Sequence, residues 1–296
     1  MKVLVIGRKG QIARALQSIG SDAFHVTALG SDDMDLAGPI HSGQIASHAP
    51  DVIINTAAYT AVDLAERESD RAFAINAEGP RQLAMIALSM NVPLIHFSTD
   101  YVFDGAQTVP WREEDSPAPI NVYGLSKLAG EREIRAVGGN HVILRTSWVY
   151  SPWGSNFLRT MLRLATSRPE LGIVADQFGT PNSALDLALA TRHVAQTLVS
   201  GANPDKLPGI YHLSATAGPI NWADFARAIF ASSAKLSGPV ATVRDITTAD
   251  YPTPAHRPAY SCLDTTKFRT VFQYDLPPWQ DGIGPAVQAL KEGNWS

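Results

Sequence analysis

The chain has 296 residues, 45% apolar and 18% charged, enough for one large domain or two closely packed ones and too apolar for a disordered chain. A formal net charge of −4, with no Lys/Arg clusters, offers no general attraction for nucleic acid. The single cysteine, Cys262, excludes an internal disulfide and fits a reducing compartment as a buried bystander thiol.

The first apolar run, residues 3–6, is too short for a signal peptide or a membrane span and reads as a strand opening a cytoplasmic, membrane-free protein. Further runs at 26–29, 52–54, 94–97 and 142–144 are nearly continuous in Val, Ile and Leu, as strands covered on both faces are. Helical patterns fall between them at 11–18, 41–49, 63–90 (broken) and 123–136. Strand–helix alternation over about 150 residues predicts an α/β fold with a Rossmann-type, doubly wound parallel sheet. After Trp148 turn signals multiply, a helix is expected over 185–199, a strand over 209–213, and helices over 265–272 and 284–291. The return at 185–213 predicts a cofactor domain of 1–150 plus about 184–213. A smaller, discontinuous α/β substrate domain takes about 151–183 plus 214–296.

The motifs sit at the ends of these strands. Gly7 and Gly10, in "VLVIGRKGQIARAL", form G-x-x-G-x-x-A between the first strand and first helix, where bare backbone can approach a pyrophosphate. Ala13 is small enough for close helix–strand packing. No acid directly follows the second strand, and Arg8 and Lys9 lie in the loop, which favours NADPH with NADH as the alternative. Ala57 and Ala58 leave room for an adenine or ribose, and Asn76 is a candidate for fixing nearby loops.

The fourth strand ends at "FSTDYVFDG", which aims Thr99 and Asp100 into the crevice beyond the strands' carboxyl ends. "NVYGLSKLAGE" sets Tyr123 and Lys127 one helical turn apart on one face. A hydroxyl, a tyrosine and a lysine are the set needed to reduce a carbonyl with a nicotinamide. Bringing a phenol from about 10 to about 7 takes roughly 4 kcal/mol of preferential phenolate stabilisation, which the Lys127 ammonium is expected to help supply. Trp148 can close the crevice over a sugar or base, or be a core tryptophan. Arg257 can fork a diphosphate, or pair with an acid.

These motifs, with "NTAAYTAVDLAE", "RTSWVYSPWGSNF", "DQFGTPNSA", "RPAYSCLDTTKF" and "LPPWQDGI", resemble the extended short-chain dehydrogenase/reductase family nearly end to end. The resemblance implies reduction of the 4-keto group of dTDP-4-dehydro-L-rhamnose to dTDP-L-rhamnose, a dTDP-sugar substrate, NADPH as cofactor, and a monomer or homodimer. It implies that Tyr123 donates the proton, with Lys127 its partner and Thr99 the third catalytic group. Gly7, Gly10, Gln11 and Ile12 would line the pyrophosphate, and Asp35, Leu36, Ala57, Ala58 and Tyr59 the rest of the cofactor. Thr99, Asp100, Trp148, Asn156 and Arg257 would face the sugar nucleotide.

Two departures stand out. Some relatives dimerise around magnesium held partly by a glutamate where this chain has Ala15, which argues against a metal, and Asn182 stands where threonine is usual. A dehydratase would carry an Asp-Glu pair after Thr99, where this chain has Asp100-Tyr101. The remaining alternatives are another sugar-nucleotide epimerase or reductase of the same fold, and a non-catalytic NADP-binding regulatory subunit.

Overall fold

Each short Val/Ile/Leu run becomes a strand whose alternate side chains enter two different cores. The computed structural model describes residues 1–201 and 207–293. The strands are β1 (Lys2–Ile6), β2 (His25–Leu29), β3 (Val52–Asn55), β4 (Leu94–Thr99), β5 (His141–Thr146), β6 (Val149–Tyr150), β7 (Glu170–Val174), β8 (Phe178–Gly179), β9 (Asn182–Ser183), β10 (Gly209–His212), β11 (Ile220–Asn221) and β12 (Thr242–Ile246). Six of them form a parallel sheet in the order β10-β5-β4-β3-β1-β2. The order reverses beside β1, so the loops after β1, β3 and β4 share one crevice.

The helices are α1 (Gln11–Ser18), α2 (Ser42–Ala46), α3 (Val62–Ala65), α4 (Ser69–Phe73), α5 (Gly79–Met90), α6 (Val122–Val137), α7 (Phe157–Ala165), α8 (Ala184–Val199), α9 (Trp222–Lys235), α10 (Thr266–Phe272) and α11 (Ile283–Glu292). Val3, Val5, Val52, Ile54, Ile95, Phe97, Val142 and Leu144 face one side of the sheet, under α1, α8 and α10. Leu4, Ile6, Ile53, Leu94 and Ile143 face the other, against Ile45 of α2, Leu83 and Ile86 of α5, and Ile134 of α6. A third core joins α7, β7, α9 and α11 through Leu158, Ile173, Phe225, Ile229 and Val287.

The stretch expected to be a broken helix over 63–90 breaks twice. A five-residue π turn, Ala74–Glu78, separates α4 from α5 and carries the buried Asn76. The helix expected over 41–49 is only α2, since Ala49 takes a positive φ of 44°. Eight elements went unread in the sequence, four of them the two-residue strands β6, β8, β9 and β11. Helix α7 starts on Asn156 and α9 on Asn221, each side chain accepting an N–H of the first turn. The other two, β7 and β12, pair in parallel. Their heavily interrupted flanks hid the period. No described helix is long and apolar enough to cross a membrane.

Candidate active site

Leaving β1, the chain turns at Gly7 with φ +105°, and a Cβ there would sit 2.7 Å from Thr56 Oγ1 and 3.0 Å from the Ala57 nitrogen. Only glycine fits. Gly10 caps α1 with open space around it and no side-chain hydrogen bond, leaving the first N–H groups of the helix available to an anion. Ala13 and Ala15 are wholly buried, and α1 packs on α8. Among the described residues no group of three or more His, Cys, Asp or Glu side chains could hold a metal ion.

The end of β2 corrects one reading of the sequence. Asp33 folds back so that its carboxylate accepts the Gly30 N–H at 2.7 Å and pairs with Arg8, whose Nε donates to Ala28 O at 3.1 Å. An acid therefore does stand at the strand end, already holding the loop cation. Lys9 lies 3.7 Å from Asp32, both largely exposed. Asp35 is exposed and closes a turn on the Ala37 N–H, while Leu36 is buried under Gly79.

After β3, Asn55 accepts the Ala57 N–H at 3.1 Å, and Ala57, Ala58 and Tyr59 line the crevice half-buried. Asn76 clamps this loop: it accepts from Tyr59 N at 2.8 Å and donates to Tyr59 O at 3.0 Å and to Ser126 Oγ at 2.9 Å. Its expected role in fixing loops is thereby explicit. Gly130 makes the seat, because a Cβ there would fall 2.0 Å from Asn76 O.

Asn121 starts α6 by accepting the Gly124 N–H at 2.8 Å, and its amide donates to His256 O at 2.7 Å. The helix start is thus tied to the loop that carries Arg257. Tyr123 stands in the first turn, its ring edge-on to Tyr101 at 5.8 Å. Thr99 Oγ1 accepts the Tyr101 N–H and donates to Asp100 Oδ1 at 2.9 Å. Burial pushes the Tyr123 phenol up to about 12, against the pull of Thr99, and Asp100 pushes the same way as burial. The Lys127 ammonium expected to acidify it is turned into the sheet, 2.6 Å from Phe97 O and 3.2 Å from His96 Nε2. Burial lowers Lys127 to about 8, with Glu131 acting the other way.

Asp100 is 2% exposed and pushed up by burial to about 6, despite bonds from Ser261 and Thr99. Its Oδ2 finds no hydrogen-bond partner among the described residues, and the Asp100 charge raises the Tyr123 phenol further. Under the same floor, Arg145 and Glu131 form a buried pair at 2.6 Å, and Ser98 donates to Glu131 at 2.5 Å. Cys262 is buried, with its thiol pushed up to about 11, so it is inert.

The residues expected on the sugar nucleotide divide. Arg257 lines a cleft of ≈ 410 Å³ with Phe157, Arg168, Gln177, Trp222 and Tyr251, and also pairs with Asp63 at 2.9 Å. The pairing with an acid is therefore present, and the same guanidinium also borders the cleft. Trp148, at φ 43°, stacks on Trp222 with centroids 3.4 Å apart, and it is Trp222 that lines the cleft. Asn156 is not free: its oxygen caps α7 and its amide donates to Gln11 Oε1 at 2.9 Å and to Ser151 O. Gln11 likewise receives Ser151 Oγ and donates to Val149 O, so its side chain bridges α1 to the segment after β5. Ile12 packs half-buried against the sheet core. Asn182 donates to Ser147 O at 2.7 Å and accepts from Ala215 N at 2.6 Å, joining three strand ends in place of a threonine.

Sequence reading missed Trp222, Tyr101 and Asp33. The Tyr101 hydroxyl lies in the field of Arg257 and Asp63, so it connects the Tyr123 end of the crevice to the cleft.

Comparison with known proteins shows the family to which the chain belongs. A family profile described as the RmlD substrate binding domain matches residues 1–292. The chain is 46% identical over 291 residues to a dTDP-4-dehydrorhamnose reductase of Sinorhizobium fredii, covering 98% of each chain. It is 41% identical over 297 residues to the enzyme of that name from Escherichia coli, again with 98% of each covered. Among solved structures, a dTDP-4-dehydrorhamnose reductase of Clostridium acetobutylicum superposes with a TM-score of 0.88 at 35% identity, over 98% of this chain and 100% of that one. The Bacillus anthracis enzyme in complex with NADP gives a TM-score of 0.86 at 33% identity, over 96% and 98%. The chain belongs to the RmlD substrate binding domain family, within the extended short-chain dehydrogenases/reductases.

Proposed function

We propose that this chain reduces the 4-keto group of dTDP-4-dehydro-L-rhamnose with NADPH, giving dTDP-L-rhamnose. The observation that carries the reading is the convergence of Thr99, Tyr123 and Asp100 at the end of β4, beside a glycine loop. Relatives named for this activity match nearly the whole chain, and one homologue was solved with NADP.

The residues fit a dinucleotide: Gly7 keeps the backbone bare where a Cβ would strike Thr56, and α1 opens with uncapped N–H groups. NADPH supplies the hydride when bound. Tyr123, fully protonated at neutral pH because burial pushes its phenol up, gives its proton to the oxygen that becomes the 4-hydroxyl. Thr99, whose single hydroxyl proton goes to Asp100 Oδ1 here, turns that proton to the same oxygen when substrate binds and so orients the carbonyl. Asp100 Oδ2 takes a sugar hydroxyl. The aromatic and guanidinium lining of the cleft suits a nucleoside diphosphate, with Trp222 and Phe157 for the base and Arg257 and Arg168 for phosphates.

In this reading residues 1–150 with about 184–213 hold the cofactor, and about 151–183 with 214–296 hold the sugar nucleotide. Helix α10 is the exception, since Phe268 and Phe272 belong to the sheet core. A cytoplasmic location suits the single reduced cysteine. The test is a stoichiometric assay with dTDP-4-dehydro-L-rhamnose generated in situ. The reading expects one NADPH oxidised for each dTDP-L-rhamnose formed. Conversion without net NADPH use would make the chain an epimerase, and NADP binding without turnover a regulatory subunit; either result overturns the reading.

A further inference from the structure

Beneath the crevice, three buried side chains on three elements form a hydrogen-bonded row whose donors and acceptors can be counted. Asn55 of β3 is 1% exposed, His96 of β4 0% and Lys127 of α6 2%. Asn55 Nδ2 lies 3.0 Å from His96 Nδ1, and His96 Nε2 lies 3.2 Å from Lys127 Nζ. Lys127 Nζ also reaches Phe97 O at 2.6 Å.

The row has a direction. The Ala57 backbone N–H can only donate, and it donates to Asn55 Oδ1 at 3.1 Å, which turns the amide NH2 of Asn55 towards the ring. An amide NH2 also only donates, so His96 Nδ1 must be the acceptor. A neutral imidazole has one N–H, which is then on Nε2 and aimed at Lys127. Burial, reinforced by Lys127, holds His96 well below the ordinary histidine range, so the ring stays neutral. An ammonium has no lone pair to receive that N–H. An amine has one, and keeps an N–H for Phe97 O.

We propose that His96 is a positioning residue for Lys127, locked by Asn55 in its Nε2–H tautomer so that its N–H opposes the ammonium form of Lys127 and favours release of that proton. The other titratable groups at this end agree. Glu131, one turn further along α6, favours the ammonium but is already bonded by Arg145 of β5 and by Ser98. Tyr123 and Asp100 lie on the substrate side, and burial brings Lys127 to about 8. Because Ala57 lines the crevice, the row ties the charge of Lys127 to the backbone loop that follows β3. Its kinetic consequence rests on the reductase reading: Lys127 acts as a group that gains and loses a proton near pH 8, where a fixed ammonium would not.

The test is NMR on the full chain carrying 15N-histidine and 13Cε-lysine, with signals assigned by their loss in His96→Gln and Lys127→Met. The expected result is a neutral His96 protonated on Nε2, and a Lys127 midpoint near 8 against the usual value of about 10.4. Asn55→Asp supplies an acceptor to both Ala57 N and His96 Nδ1. It should move the ring proton to Nδ1, make Nε2 an acceptor, and raise the Lys127 midpoint by about one unit or more. The alkaline limb of NADPH oxidation should shift upward with it. A wild-type His96 protonated on Nδ1 or on both nitrogens, or a Lys127 midpoint near 10, overturns the proposal. So does an Asn55→Asp protein whose Lys127 midpoint stays put. Wild-type spectra decide the matter even if that variant does not fold, and absence of turnover would sink only the reductase reading.

Discussion

Arg8 and Asp33 meet across the end of β2, and their pairing makes the cofactor preference a question of competition. A 2′-phosphate would draw the guanidinium away from a carboxylate that also holds the Gly30 N–H. Arg8→Ala should therefore weaken NADPH about tenfold, the cost of one charge-assisted contact, and leave NADH nearly unchanged. Paired KM measurements check it. Asp100 gives a second prediction. Its carboxyl is raised from 3.8 to about 6 in the fold, so its contribution to stability is greatest below the unfolded value and is lost as pH rises through about 6. Asp100→Asn should then be more stable than wild type at pH 8, by up to about 3 kcal/mol, with the advantage fading towards pH 4. Denaturant titrations at the two pH values decide it, and on the proposed role of Asp100 in holding a sugar hydroxyl activity should fall.

Helix α6 carries the chemistry because its inner face is fitted to its neighbours at two glycines. A Cβ at Gly124 would fall 2.1 Å from Tyr101 O, and one at Gly130 2.0 Å from Asn76 O. Gly130→Ala should lift the helix from the π turn and cost about 1–3 kcal/mol, with a matching fall in melting temperature. The pair of Glu131 with Arg145 fastens the same helix to β5. Removing one partner leaves the other buried, so Arg145→Met should destabilise by about 3–5 kcal/mol in urea unfolding. Element by element, the parallel strands were legible because both faces are covered and the Val/Ile/Leu runs are unbroken. The first-turn position of Tyr123 was legible from the helical pattern expected over 123–136. The partner of Lys127 was not: a one-turn spacing places two residues on one face without saying whether a long side chain bends outward or into the sheet.

At the scale of the molecule, the sheet builds one end of the crevice and a separate core builds the other. The sheet end could be read from local motifs, since Gly7, Thr99 and Tyr123 each follow a recognisable strand or open a helix. The far end was read only at Arg257. Trp222 and Arg257 reach the same cleft from positions 35 residues apart, and Trp222 heads a helix whose signal was lost among turns. The bond between Gln11 and Asn156, across 145 positions of sequence, was likewise not legible. Side chains that join distant segments leave no local spacing to find. The central claim is that Tyr123 supplies the proton to the nascent 4-hydroxyl. The most direct measurement is the rate of NADPH oxidation with dTDP-4-dehydro-L-rhamnose for wild type and Tyr123→Phe, with NADPH affinity measured alongside. The account predicts a loss of about 10²–10⁴ in kcat with cofactor binding retained. A Tyr123→Phe protein that keeps a near-normal rate would contradict it.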